Sequence, residues 1–96
     1  MNINEMMKQA KKMQAELELR EKEFIKKEFT IEKQGLSLVM TGNKKIKSLK
    51  IDPILIDEDD IELLEDMIAL SINEAVDNID TEYEASAPKM PKNMPF

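Results

Sequence analysis

The chain contains no cysteine and no histidine. Without thiols there are no disulfides, no thiolate nucleophile and no soft metal ligand. Without imidazole the usual general base and the common zinc and haem ligands are missing. Acid–base chemistry would fall to Asp, Glu, Lys, Ser, Thr or the single tyrosine, Tyr83. No local pattern arranges these groups for catalysis, so the sequence reads as a non-enzyme. Asp52, beside Pro53 and Lys50, is the nearest approach to an acid/base site. It is better explained as a strand terminus with an adjacent ion pair. Aromatic residues make up only 4% of the chain and do not interleave with lysine, which argues against stacking on single-stranded bases. No apolar run reaches the roughly 18 residues of a membrane span. The N-terminus alternates polar and apolar residues where a signal peptide would have an apolar block. A cytoplasmic home is the expectation.

What the chain does have is charge, unevenly placed. Its 96 residues suffice for one small domain, with 35% charged residues and a net charge of -6. Residues 1–50 hold 12 basic and 7 acidic side chains, a balance of +5, whereas residues 51–96 hold 2 and 13, a balance of −11. Such asymmetry fits separate faces for an anionic partner and for solvent, although ion pairing within the fold would use it equally well. The most basic stretch is "MMKQAKKMQ", residues 6–14, with three lysines, three methionines and no acid. A chain of this length buries a limited fraction of its surface. Dimerisation would add to it, so a homodimer is expected.

The periodicity predicts an α+β fold, α-β-β-β-α. Met6, Ala10, Met13, Leu17 and Phe24 recur at helical spacing, with Arg20 filling the gap. Asn2 or Asn4 supplies the cap, and a helix of about 20 residues follows. "FIKKEFTIEKQ" reads as a strand with Ile25, Lys27, Phe29 and Ile31 on one side. Gln34-Gly35 marks a turn. "LSLVMT" is a second strand with Leu36, Leu38 and Met40 inward. Gly42-Asn43 reads as a tight hairpin turn, since both tolerate positive φ. "KIKSLKID" is a third strand, ended by Pro53. Ile46 is out of phase with Leu49 and Ile51, which predicts a bulge near Ser48. The three strands form an antiparallel meander with an exposed edge. A second long helix starts from a box formed by Asp59 and Glu62. Its apolar stripe is Ile61, Leu64, Ile68, Ile72, Ala75 and Ile79, widened by Leu63, Met67 and Leu70. One domain spans residues 1–84, and residues 85–96 form a flexible tail containing proline and lysine.

Three segments in register resemble the YbaB/EbfC family of bacterial nucleoid-associated proteins: "MMKQAKKMQAEL", "TGNKKIKSLKIDP" and "LLEDMIALSINEA". In the last, Leu64, Glu65, Asp66, Ile68, Asn73 and Ala75 match the family pattern. Two departures stand out. Only Gly35 remains of the glycine-rich turn before the second strand, and Ser71 stands where a small alanine is common. The resemblance implies a homodimer with protruding helices that resemble tweezers. It also implies binding to duplex DNA with modest sequence preference, and neither catalysis nor a cofactor. No metal site, membrane partner or small-molecule substrate is expected.

On a wheel of about 100° per residue, Lys8, Lys11, Lys12 and Lys22 fan over the side opposite the apolar stripe. Lys8 and Lys12 are like-charged neighbours at i,i+4, which costs about 0.2–0.5 kcal/mol in an isolated helix. A phosphate between them would turn repulsion into attraction. These four are the candidate DNA contacts. The bland alternative is a solvated lysine face, the commonest fate of helical lysines. A second basic set, Lys26, Lys27 and Lys33 with Lys44, Lys45, Lys47 and Lys50, reads as strand and hairpin lysines that keep other chains off the sheet edge. Nothing resembles a base-reading set on a recognition helix. The acidic "DEDD", residues 57–60 reading Asp57, Glu58, Asp59, Asp60, lacks the spacing of a calcium loop and fits helix capping. Met6 and Met13 read as packing or dimer seam. The competing expectation is a small protein-interaction adaptor with little or no DNA binding.

Overall fold

The computed structural model describes residues 2–86. Helix α1 (Ile3–Lys26) leads into strands β1 (Glu28–Lys33), β2 (Leu36–Thr41) and β3 (Ile46–Ile51). A short 3-10 turn (Pro53–Leu55) then connects to helix α2 (Ile61–Ser86). The sheet order is β1-β2-β3 with both pairings antiparallel, so the expected α+β meander between two long helices is present. The expected tail begins inside α2, which runs through Ser86, and residues 87–96 lie outside the described residues.

Helix α1 starts where Asn2 caps it, its side-chain oxygen accepting from the Asn4 N–H at 3.0 Å. With no glycine or proline to interrupt it, the helix runs 24 residues. This corrects the strand expected from Phe24. Ile25 and Lys26 are helical, and Lys27 is the C-cap with extended backbone. The boundary has a physical cause. The Lys27 N–H closes the last turn on the Phe24 carbonyl at 3.0 Å, and the Lys27 carbonyl accepts from the Gly42 N–H at 2.9 Å. Pairing with β2 then begins at Glu28 opposite Thr41.

That junction also explains Gly42. The expected positive φ falls on Lys44, at 63°, and not on Gly42. A Cβ on Gly42 would sit 1.9 Å from the Phe24 carbonyl oxygen. Glycine is required there because the hairpin lies directly against the end of α1. At the other turn, Gly35 does carry a positive φ of 84°.

Leu36, Leu38 and Met40 are buried as the alternation predicts, and Ile31 joins them from β1. Between Val39 and Met40 the register shifts, with Val39 opposite Ser48 but Met40 opposite Ile46. Lys47 is the extra residue, so the bulge lies beside Ser48 and restores Ile46 to the phase of Leu49 and Ile51. All three share the inner face with their β2 partners. Yet Ile46 and Leu49 remain exposed, because α2 packs over β1 and β2 and leaves β3 uncovered.

Helix α2 is capped one residue later than expected: Asp60 Oδ1 accepts from the Leu63 N–H at 3.3 Å, while Asp57 Oδ1 accepts from the Asp59 N–H at 2.9 Å. Its buried line is Ser71, Ala75 and Ile79, with Ile68 and Ile72 only half-buried beside it. Ile61, Leu63 and Leu70 are exposed. The buried line thus begins at Ser71, whose small side chain lets the helix approach the sheet. The Ser71 hydroxyl is fully buried and has no hydrogen-bond partner among the described residues. Replacing it by a methyl group of similar size removes an unsatisfied polar group and raises helix propensity. Ser71→Ala is therefore expected to stabilise the fold by about 1 kcal/mol. In a thermal melt this appears as a rise of about 4–8 °C. A fall would show that the hydroxyl is satisfied in solution.

Candidate nucleic-acid interface

Six apolar side chains form the buried core among the described residues: Ile31, Leu36, Leu38, Met40, Ala75 and Ile79. None comes from α1, in which every residue from Ile3 to Leu19 is exposed. The helix therefore projects from the body, and the molecule measures 72 × 25 × 14 Å along its principal axes. A 24-residue helix is about 36 Å long, so the arm accounts for much of that length.

All four candidate lysines lie on the exposed arm. Lys8, Lys11 and Lys12 cluster within little more than one turn. Lys22 follows about 16 Å beyond Lys11 along the axis, at 1.5 Å per residue. The helical end of the chain adds one that the sequence reading had placed on a strand. Lys26 lies five full turns after Lys8 and so shares its azimuth, about 27 Å further along. The signal that would have found it was the absence of any helix breaker before Gly35.

The body treats its lysines differently. Lys33 pairs with Glu74 at 2.7 Å, Lys44 with Asp80 at 2.7 Å, Lys47 with Glu28 at 2.5 Å, and Lys27 with Glu82. Three of these four acids belong to α2. The acidic second half thus pairs with three of the body's cations and Glu28 with a fourth, while Lys45 and Lys50 on the body, and Lys8, Lys11, Lys12, Lys22 and Lys26 on the arm, form no ion pair among the described residues. These surface pairs contribute at most about 1 kcal/mol each. Their consequence is electrostatic: among the described residues, five of the seven lysines without an ion pair lie on the arm. Lys50 makes no ion pair with Asp52. Asp52 caps the 3-10 turn instead, its Oδ1 accepting from the Ile54 N–H at 3.0 Å. Among the described residues no group of acids is placed to hold a metal ion, and no helix is long and apolar enough to cross a membrane.

The base of the arm is held by a cluster that the sequence did not single out. The Tyr83 hydroxyl donates to Glu21 Oε1. The Phe24 ring meets Tyr83 edge-on at 5.1 Å and Phe29 at 5.9 Å between centroids. The Arg20 guanidinium lies 5.8 Å above the Tyr83 ring. The hydrogen bond to Glu21 and its negative charge raise the Tyr83 pKa above its ordinary value.

A small body that pairs four of its six lysines with acids, and carries a helical arm with a basic N-terminal half, fits a binding module for a polyanion. Comparison with known proteins makes the class specific. The pattern of the YbaB/EbfC DNA-binding family matches residues 1–94. A nucleoid-associated protein of Metamycoplasma arthritidis is 57% identical over 84 residues, covering 88% of each chain. One of Mycoplasmopsis pulmonis is 50% identical over 97 residues, covering 100% of this chain and 97% of its own. A more distant one, from Clostridium botulinum, is 38% identical over 95 residues, covering 97% and 84%. The chain belongs to the YbaB/EbfC family of nucleoid-associated DNA-binding proteins.

Proposed function

We propose that this chain binds duplex DNA as a homodimer, through phosphate contacts from the α1 arms, with low or modest sequence specificity. In this reading it resides in the cytoplasm on the nucleoid and influences nucleoid organisation and gene expression. One observation carries the proposal: Lys8, Lys11, Lys12 and Lys22 are exposed on a projecting helix and form no ion pair among the described residues, while α2 pairs with Lys27, Lys33 and Lys44 on the body. A protein with a net charge of -6 per chain must bind DNA through such a local concentration of cations. Lysine on a helix face offers point charges for phosphate, not the bidentate forks that read bases.

The dimer is supported by apolar surface without cover. Ile46 and Leu49 on the inner face of β3 are exposed, as are Met6, Met13 and Leu17 along α1. A second copy covering these rows would enlarge a core that is small for an independent domain.

The experiment is fluorescence anisotropy of a labelled 30-bp duplex at several salt concentrations, with the mass in solution from sedimentation. Twice the chain mass is expected. If the dimer neutralises about six phosphates, log K falls against log[salt] with a slope of about −5. A wild type that fails to bind even at low salt, yet retains a stable protein partner, would replace this reading with the adaptor.

A further inference from the structure

The projecting arm raises a mechanical question: what holds its angle? Within one chain every side chain of α1 before Arg20 is exposed, so the first 17 residues of the helix add little to its attachment to the body of that chain. The attachment lies in one turn and a half. Three of the chain's four aromatic residues, Phe24, Phe29 and Tyr83, gather there. Tyr83 is the hub. Its hydroxyl donates to Glu21, its ring takes the edge of Phe24, and Arg20 lies over its face. Arg20 Nη2 also donates to Ser86 Oγ at 3.5 Å, and that hydroxyl donates to the Tyr83 carbonyl at 3.2 Å. The last two turns of α1 are thereby fastened to the last turn of α2 by three side chains of α1 in register: Arg20, Glu21 and Phe24. Beneath them the backbone is pinned by Gly42, which donates to Lys27.

We infer that this Tyr83-centred joint fixes the angle of α1 on the body and so positions the arm lysines against the phosphates; the inference rests on the DNA-binding reading above. Tyr83 and Phe24 are positioning residues and touch no DNA themselves. Leverage makes the joint matter. Lys12 and Lys8 lie about 18 and 24 Å beyond Phe24 along the helix. A swing of about 15° would move them by about 5–6 Å, more than the 3.4 Å separating successive phosphates of one strand along the duplex axis. A loose arm keeps its charges but must be reordered each time it binds. Loosening the joint therefore lowers affinity without changing the number of phosphates neutralised.

The absence of cysteine makes the test direct. Spin labels are placed at Glu16→Cys on the arm and Glu32→Cys on the sheet, both exposed in the native chain. Labelled chains are diluted with excess unlabelled chains, so that distances within one chain are read. Wild type, Tyr83→Phe and Tyr83→Ala are compared for the width of the distance distribution, for duplex affinity and for salt slope. The expectation is a narrow distribution in the wild-type background and a broad one in Tyr83→Ala. Tyr83→Phe, which keeps the ring and loses only the bond to Glu21, falls between. Affinity should drop about tenfold in Tyr83→Ala, with an unchanged slope. An unchanged distribution in Tyr83→Ala overturns the joint. A broadened distribution with wild-type affinity overturns the positioning role. Wild type that binds no duplex at low salt overturns the DNA reading itself, and the positioning role with it, whatever the labels report. Should Tyr83→Ala fail to fold, the Tyr83→Phe comparison decides by the same readouts.

Discussion

Replacing Lys8, Lys11 and Lys12 together with alanine should weaken duplex binding by at least about 100-fold near 0.1 M salt. Each of these lysines is exposed and has no ion-pair partner among the described residues, which leaves it available to a phosphate. Two arms would lose six cations. As these are six of the ten arm lysines in two copies, a proportional loss of contacts should flatten the salt slope from about −5 for wild type to about −2, carried by the remaining contacts at Lys22 and Lys26. Folding should be unaffected. The residues contribute nothing to the core, and alanine is the better helix former by a few tenths of a kcal/mol at most. A thermal melt accompanies the binding titration. Loss of binding with an unchanged melt places the phosphate contacts on α1, whereas wild-type affinity in the variant would remove them from it.

The second large effect is on stability. Gly42→Ala should cost about 2–3 kcal/mol. Its Cβ would lie 1.9 Å from the Phe24 carbonyl oxygen and 2.8 Å from the carbonyl carbon. Both are backbone atoms that also close the last turn of α1, so no side chain can rotate away. The hairpin would have to withdraw, and the bond from the Gly42 N–H to the Lys27 carbonyl would be lost with it. In a thermal melt the variant should fall by about 10–20 °C. A change of only a degree or two would mean that the α1–β1 junction is looser than the structure shows.

Local signals carried most of the fold. Alternation placed Leu36, Leu38 and Met40 on the buried face, and the misphased Ile46 announced the bulge that the register shift between Val39 and Met40 confirms. The errors came where local signals were ambiguous. Ile25 and Lys27 continue the alternation of Phe29 and Ile31, so alternation alone starts the strand too early. What ends the helix is a tertiary contact, Gly42 under Lys27, which no local pattern encodes. Gly42 itself was recognised as a turn residue for its φ, whereas its real constraint is a neighbour distant in sequence. On α2 the buried line begins at Ser71, and polarity scales assign a serine to the surface. The exposure of Leu49 required knowing that α2 stops short of β3.

For the candidate interface, the sequence could list lysines but not sort them. The partners of Lys27, Lys33 and Lys44 lie 55, 41 and 36 positions further along the chain, at Glu82, Glu74 and Asp80. Only the fold reveals that the acidic half pairs with Lys27, Lys33 and Lys44 and with none of the lysines on the arm. The joint at Tyr83 was hidden for the same reason: its contacts to Arg20, Glu21 and Phe24 span about sixty residues.

The measurement that bears most directly on the central claim needs no mutation. Lysine amines of the wild-type protein are acetylated with and without a 30-bp duplex, and the modification at each site is read by mass spectrometry. Protection by DNA is expected at Lys8, Lys11, Lys12, Lys22 and Lys26, fading as salt is raised. Lys33 and Lys44, already held by Glu74 and Asp80, should react alike in both samples. Protection confined to Lys45, Lys47 and Lys50, with the arm lysines unchanged, would contradict the account and move the DNA to the sheet.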